Sequence, residues 1–103
     1  MRLRHKYHAK PVVRDGFKFP SKKEGRYYDY FKHLRDDTNE VLFFLRQVPF
    51  HIPGNIRVVV DFVVFYTDGD IRIYDVKGVK TERFRMNQKL LAQHYPMIDL
   101  EIL

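Results

Sequence analysis

The chain has 103 residues, 45% of them apolar and 16% aromatic, with no cysteine and a formal net charge of +6. That size and composition suit one globular domain over residues 1–103 and exclude a disordered chain, a disulfide scaffold and a thiolate metal site. No apolar run approaches the ~20 residues of a membrane span and no signal-peptide pattern opens the chain, so a reducing cytoplasm is the expected location.

The charge is unevenly spread. Residues 1–35 hold eleven Lys/Arg against three acids, whereas residues 36–103 hold eight against ten. A basic N-terminal third on a near-neutral body points to a polyanion partner, although a solvated basic tail would look the same. Tyr7, Phe17, Phe19, Tyr27, Tyr28 and Tyr30 interleave with the basic residues and serve either base stacking or the core.

In chain order, Met1 to Lys10 reads as a flexible basic arm carrying Arg2, Arg4 and Lys6. Val12-Val13 and Phe17-Lys18-Phe19 flank Asp15-Gly16 and suggest a small hairpin. Pro20 and Ser21 mark the entry to a helix over Lys22 to Asp36, with Ser21 as N-cap. Glu40 to Phe50 is apolar and β-prone, and Pro53-Gly54-Asn55 turns it into a second strand, Arg57 to Tyr66. Thr67-Asp68-Gly69 separates that strand from Ile71 to Lys77, and Gly78 breaks the run. A second helix spans about Thr81 to Tyr95, stopped by Pro96, and Ile98 to Leu103 is a last short strand. The order α-β-β-β-α-β describes an α+β fold, an α/β sandwich in which a small mixed sheet is flanked by helices.

The central hairpin carries the chemistry. A Thr-Asp-Gly loop of three residues, closed by Gly in the left-handed region, pairs Phe65 with Ile71, Val63 with Ile73 and Asp61 with Asp75. Opposed residues share a face and Lys77 lies two further along, so one face is expected to run from apolar at the turn to Asp61, Asp75 and Lys77 at the far end. Ionised groups inside apolar strands cost several kcal/mol unless they bind something, and a divalent cation beside a scissile phosphate would account for them.

Ser21-Lys22-Lys23-Glu24 matches a capping box, which alone would explain Glu24. Yet Glu24 also shares a helical stripe with Tyr27/Tyr28, Phe31 and Leu34, the stripe that should face the sheet. Gly25 beside it weakens the helix by about 1 kcal/mol relative to Ala and permits close approach of another backbone.

Taken together, Phe19-Pro-Ser-Lys-Lys-Glu24, Val60-Asp61-Phe62, Tyr74-Asp-Val-Lys-Gly78 and the Thr- and Lys-bearing helix from Thr81 to Leu91 resemble the PD-(D/E)XK nucleases. The closer similarity is to small phage-type members related to Holliday junction resolvases, and it spans residues 5–97, with Val60 where the superfamily pattern has Pro. The resemblance implies a restriction-endonuclease-like core. Glu24, Asp61 and Asp75 would be metal-site carboxylates, the Val76 carbonyl a further ligand and Lys77 the catalytic lysine. It implies Mg²⁺ or Mn²⁺, which suit hard oxygen ligands, and cleavage of branched DNA by a homodimer in phage recombination or replication. Glu40 to Phe50, apolar on both faces, is the expected dimer contact.

Lys22, Lys23, Lys80, Arg83, Arg85, Gln88 and Lys89 are expected to meet nucleic acid, with Arg83, Arg85 and Lys80 touching phosphates without reading sequence. His5-x-x-His8 reads as a solvated pair, and Asp36-Asp37 as a solvated helix end. Two other readings stand beside the nuclease: a nicking or end-processing subunit of a recombination or transposition complex, and a non-catalytic nucleic-acid-binding module. Three carboxylates that repel phosphate argue against the latter.

Overall fold

Asp15 and Gly16 both take positive φ, 51° and 82°, in the mirror-image turn that an Asp-Gly pair favours. The turn folds β1 (Val12–Arg14) back on β2 (Phe17–Phe19) as a separate two-stranded sheet in this computed structural model, which describes residues 10–76 and 81–103. Helix α1 (Lys22–Asp36) follows, with Ser21 in extended backbone at its cap and Ser21 Oγ accepting from the Glu24 N–H at 3.1 Å. Its buried stripe is Glu24, Gly25, Tyr28, Phe31 and Leu34, the apolar face read from the helical periodicity.

The hairpin is fastened to α1 by short polar contacts. Asp15 accepts from Lys32 Nζ at 2.7 Å and from the Tyr28 hydroxyl at 2.8 Å, while Arg14 Nε donates to Asp29 at 2.8 Å. Lys32, and then Tyr28, hold the Asp15 carboxyl below its usual range. At Gly25 there is no room for a side chain: a Cβ built there would lie 2.5 Å from Val12 Cγ2. The close approach expected of this glycine is therefore to β1.

Strands β3 (Val41–Ile52), β4 (Ile56–Tyr66), β5 (Ile71–Asp75) and β6 (Leu100–Ile102) form a sheet in the order β3-β4-β5-β6. The first three are antiparallel and β6 runs parallel to β5, reached through α2 (Glu82–His94). The protein is thus an α+β fold, with a mixed sheet and two helices among the described residues. Thr81 is the cap of α2 and not its first turn, since its side chain accepts from the Phe84 N–H at 3.0 Å.

One core cluster joins α1 to the sheet through Phe31, Phe62 and Val64, with Phe31 stacked on Tyr74 at 5.6 Å. A second joins α2 to it through Phe84, Leu91, Val60, Val63 and Ile73. Truncating a fully buried Phe such as Phe62 costs about 3–5 kcal/mol. Among the described residues no helix is long and apolar enough to cross a membrane.

The β4–β5 loop has the three-residue form expected of Thr67-Asp68-Gly69. Tyr66 N–H donates to Asp70 O at 2.8 Å, Gly69 adopts φ 93°, and Val63 pairs with Ile73 and Phe65 with Ile71. The alternation of β4 departs from expectation. Val63 and, at its margin, Phe65 pack in the α2 cluster, but farther from the turn the α2 cluster takes Val60 and Val58. Phe62 and Val64 belong to the α1 cluster. The parity therefore changes across Asp61 and Phe62, and Asp61 does not continue the Val63–Phe65 face. Across the ladder, between the pairs Arg46↔Phe62 and Val48↔Val60, Gln47 takes a left-handed φ of 49°, a conformation that re-aims a strand. Strand β3 is an edge strand, and Leu42, Phe43 and Leu45 are exposed on it.

Candidate functional site

Glu24 in the first turn of α1, Asp61 in the middle of β4 and Asp75 at the end of β5 are linked, one to the next, by Gln47 and by main-chain N–H groups. Glu24 is carried by the buried stripe of α1 and Asp75 by the last position of β5, and each is only 3% exposed. Asp61 is half-buried at the parity change of β4. Its backbone N–H donates to Asp75 Oδ1 at 3.2 Å, and its own Oδ2 accepts from the Val76 N–H at 2.8 Å. The two aspartates are thus locked to one another through main chain.

Gln47 links this pair to the helix. Its Nε2 donates to Asp61 Oδ1 at 3.1 Å and, over a longer 3.4 Å, to Glu24 Oε2. The N-cap reading of Ser21 holds as well, because it uses the backbone N–H of Glu24 and leaves the carboxylate for Gln47. As the side chains stand, no three His, Cys, Asp or Glu among the described residues are grouped closely enough to hold a metal ion. The amide of Gln47 sits between two of the acids instead.

The remaining predicted residues divide. Val76, expected to offer its carbonyl, meets Asp61 through its N–H. Lys77 and Lys80, like Arg2, Arg4 and Lys6 of the N-terminal arm, lie outside the described residues. Lys22 and Lys23 open α1 beside Glu24. Arg83 lines a cleft of about 540 Å³ whose wall also includes Asp75, Arg57, Thr81 and Asn87. Arg85 and Lys89 are exposed on α2. Gln88, expected at the nucleic acid, donates Nε2 to the Leu100 carbonyl at 2.9 Å and so fastens α2 to β6. That geometry gives it a task in the frame.

Two neighbours escaped the sequence reading: Gln47 at the acids and Arg57 in the cleft. The signal for Gln47 is register. Counting outward from the Ile52↔Ile56 pair at the Pro53–Asn55 turn brings Gln47 opposite Asp61.

An α+β domain with a half-buried acidic centre beside a basic cleft is the class this geometry defines. The family described as "Protein of unknown function (DUF1064)" matches residues 4–103, and the chain belongs to that family. Comparison with curated proteins yields no match, and comparison with solved structures yields none.

Proposed function

We propose that the protein is a metal-dependent endonuclease of PD-(D/E)XK type that hydrolyses DNA phosphodiester bonds at branched structures, serving recombination or replication of a phage in its host's cytoplasm. The observation that carries this reading is the linkage of Glu24, Asp61 and Asp75, from three separate elements and two of them buried, by Gln47 and by main-chain hydrogen bonds. Burying carboxylates costs several kcal/mol each, and a cation would offset part of that cost.

The donor set fits Mg²⁺ or Mn²⁺. It is all hard oxygen, and the chain has no thiolate. Glu24, Asp61, Asp75 and the Val76 carbonyl would hold the ion, which would supply Lewis-acid polarisation of the phosphate and a more acidic water. The chain's own groups do the rest. Asp61 and Asp75 keep a fixed spacing through their mutual main-chain bonds. Lys77, two residues after Asp75, supplies the positive charge that steadies the charge developing on the phosphate oxygens. Arg57 and Arg83 border the cleft that Asp75 shares and would take flanking phosphates. Two symmetric incisions call for two copies, and the exposed Leu42, Phe43 and Leu45 of the edge strand support β3 as their contact. Incubation of supercoiled plasmid with purified protein tests the reading: nicking in Mg²⁺ or Mn²⁺ that stops in EDTA supports it, and an intact plasmid under all three conditions speaks against it.

A further inference from the structure

Gln47 has three properties that an ordinary strand residue lacks. It is a non-glycine residue in the left-handed region (φ 49°) inside a continuous strand. It stands opposite Asp61 at the point where the alternation of β4 changes parity. One nitrogen, Nε2, reaches two carboxylates that belong to different elements, Asp61 of β4 at 3.1 Å and Glu24 of α1 at 3.4 Å. A regular extended backbone at position 47 would alternate with Arg46, whose guanidinium lies over the rings of Phe17 and Phe19 at 4.7 and 4.3 Å. Gln47 is exposed on the edge strand, and its left-handed backbone accompanies a side chain aimed at the acids.

We propose that Gln47 is the positioning residue of the acidic centre: its amide gathers Glu24 and Asp61 about one point in the absence of an ion, so that a divalent cation meets both carboxylates already facing each other. This rests on the nuclease reading above and adds to it a fourth side chain. The chemistry is specific to a neutral donor. Two carboxylates facing each other repel in the absence of a cation, and the two hydrogens of one amide nitrogen satisfy one oxygen of each without adding a charge that would compete with the ion. A lysine there would bind the acids and exclude the cation. A glutamate would add a third repulsion.

The experiment uses the full chain and two readouts besides cleavage. In the first, Mn²⁺ affinity is measured calorimetrically for wild type, Gln47→Leu and Asp61→Asn, with the thermal midpoint of each in EDTA. Residues that orient metal ligands contribute about 10–100-fold to affinity, so Gln47→Leu is expected to weaken Mn²⁺ at least tenfold while still unfolding cooperatively. A merely structural Gln47 would lower the midpoint in EDTA and leave the affinity as in wild type, and that result overturns the proposal. In the second, the side-chain amide resonances of Gln47 and the backbone amide of Val76 are followed in wild type as Mg²⁺ is added, which does not depend on any variant folding. Both are expected to shift together. A shift at Val76 with none at Gln47 overturns the role of Gln47 and leaves the metal centre standing. No shift at either, with no Mn²⁺ binding, overturns both.

Discussion

Asp61 and Asp75 clasp one another through the main chain: the Asp61 N–H donates to Asp75 Oδ1 at 3.2 Å, while Asp61 Oδ2 accepts from the Val76 N–H at 2.8 Å. The clasp separates what each carboxylate does for folding from what it does for chemistry. An Asn at position 61 keeps an oxygen for the Val76 N–H, whereas Ala leaves that buried donor without a partner. Asp61→Asn is therefore expected to stay within a few degrees of the wild-type thermal midpoint, and Asp61→Ala to lose about 1–3 kcal/mol in urea denaturation. Equal losses in the two variants would show that charge, and not acceptance from Val76, is what the fold needs from this residue.

Glu24 is both a capping-box residue by sequence and a member of the acidic centre by position. Gln serves equally well in a capping box, so Glu24→Gln is expected to keep its thermal midpoint yet lose most Mg²⁺-dependent cleavage. Cleavage near the wild-type rate would return Glu24 to the helix cap.

Gly25 tests how the β1–β2 hairpin is seated. Alanine would improve helix propensity by about 1 kcal/mol, but its Cβ would lie 2.5 Å from Val12 Cγ2, so either Val12 turns its side chain or β1 shifts and carries Arg14 and Asp15 from their partners on α1. Overpacking of this kind costs about 1–3 kcal/mol. Gly25→Ala is expected to be net destabilising, and adding Val12→Ala to restore part of the loss. A double-mutant cycle on denaturation midpoints checks this; strict additivity would mean that the two side chains do not meet.

The hydroxyls of Tyr66 and Tyr74 hydrogen-bond at 2.9 Å on neighbouring strands, and burial, its largest cause in both, raises the pKa of each above the ordinary tyrosine value of about 10. The sign follows directly. A folded-state pKa above the unfolded one gives stability that is fully present below pH ~10 and is lost as pH climbs from there toward the folded value. The thermal midpoint is expected to fall above pH ~10, and Tyr74→Phe to flatten that fall. A variant with the same alkaline slope as wild type would exclude this pair as its origin.

Much of the frame is legible in local sequence because its causes are local. Ser21 before an apolar stripe sets the start of α1, and Thr67-Asp68-Gly69 sets the β4–β5 register through the left-handed φ of Gly69. Asp15-Gly16 likewise closes the first hairpin. The face on which Asp61 lies is different. It depends on Gln47, fourteen residues away, adopting a left-handed conformation that glutamine rarely takes and that no turn motif announces. Simple alternation therefore placed Asp61 with Val63 and Phe65, whereas the folded chain turns it toward Glu24. Gln88 has a partner that local sequence does not announce: the Leu100 carbonyl, brought close by the parallel pairing of β6, takes its amide.

If Glu24, Asp61 and Asp75 hold the metal of a nuclease, cleavage of branched DNA depends on both the ion and Asp75. End-labelled four-way junction, flap and duplex DNA are incubated with wild type and with Asp75→Asn, in Mg²⁺ and in EDTA, with DNA binding measured on the same samples. Wild type is expected to cut near the branch in Mg²⁺ alone and Asp75→Asn not at all, while Asp75→Asn binds DNA at least as tightly because a charge facing phosphate has been removed. Mg²⁺-dependent cutting by Asp75→Asn at the wild-type rate, or binding by wild type with no cutting of any substrate, would contradict the metal role of the three carboxylates.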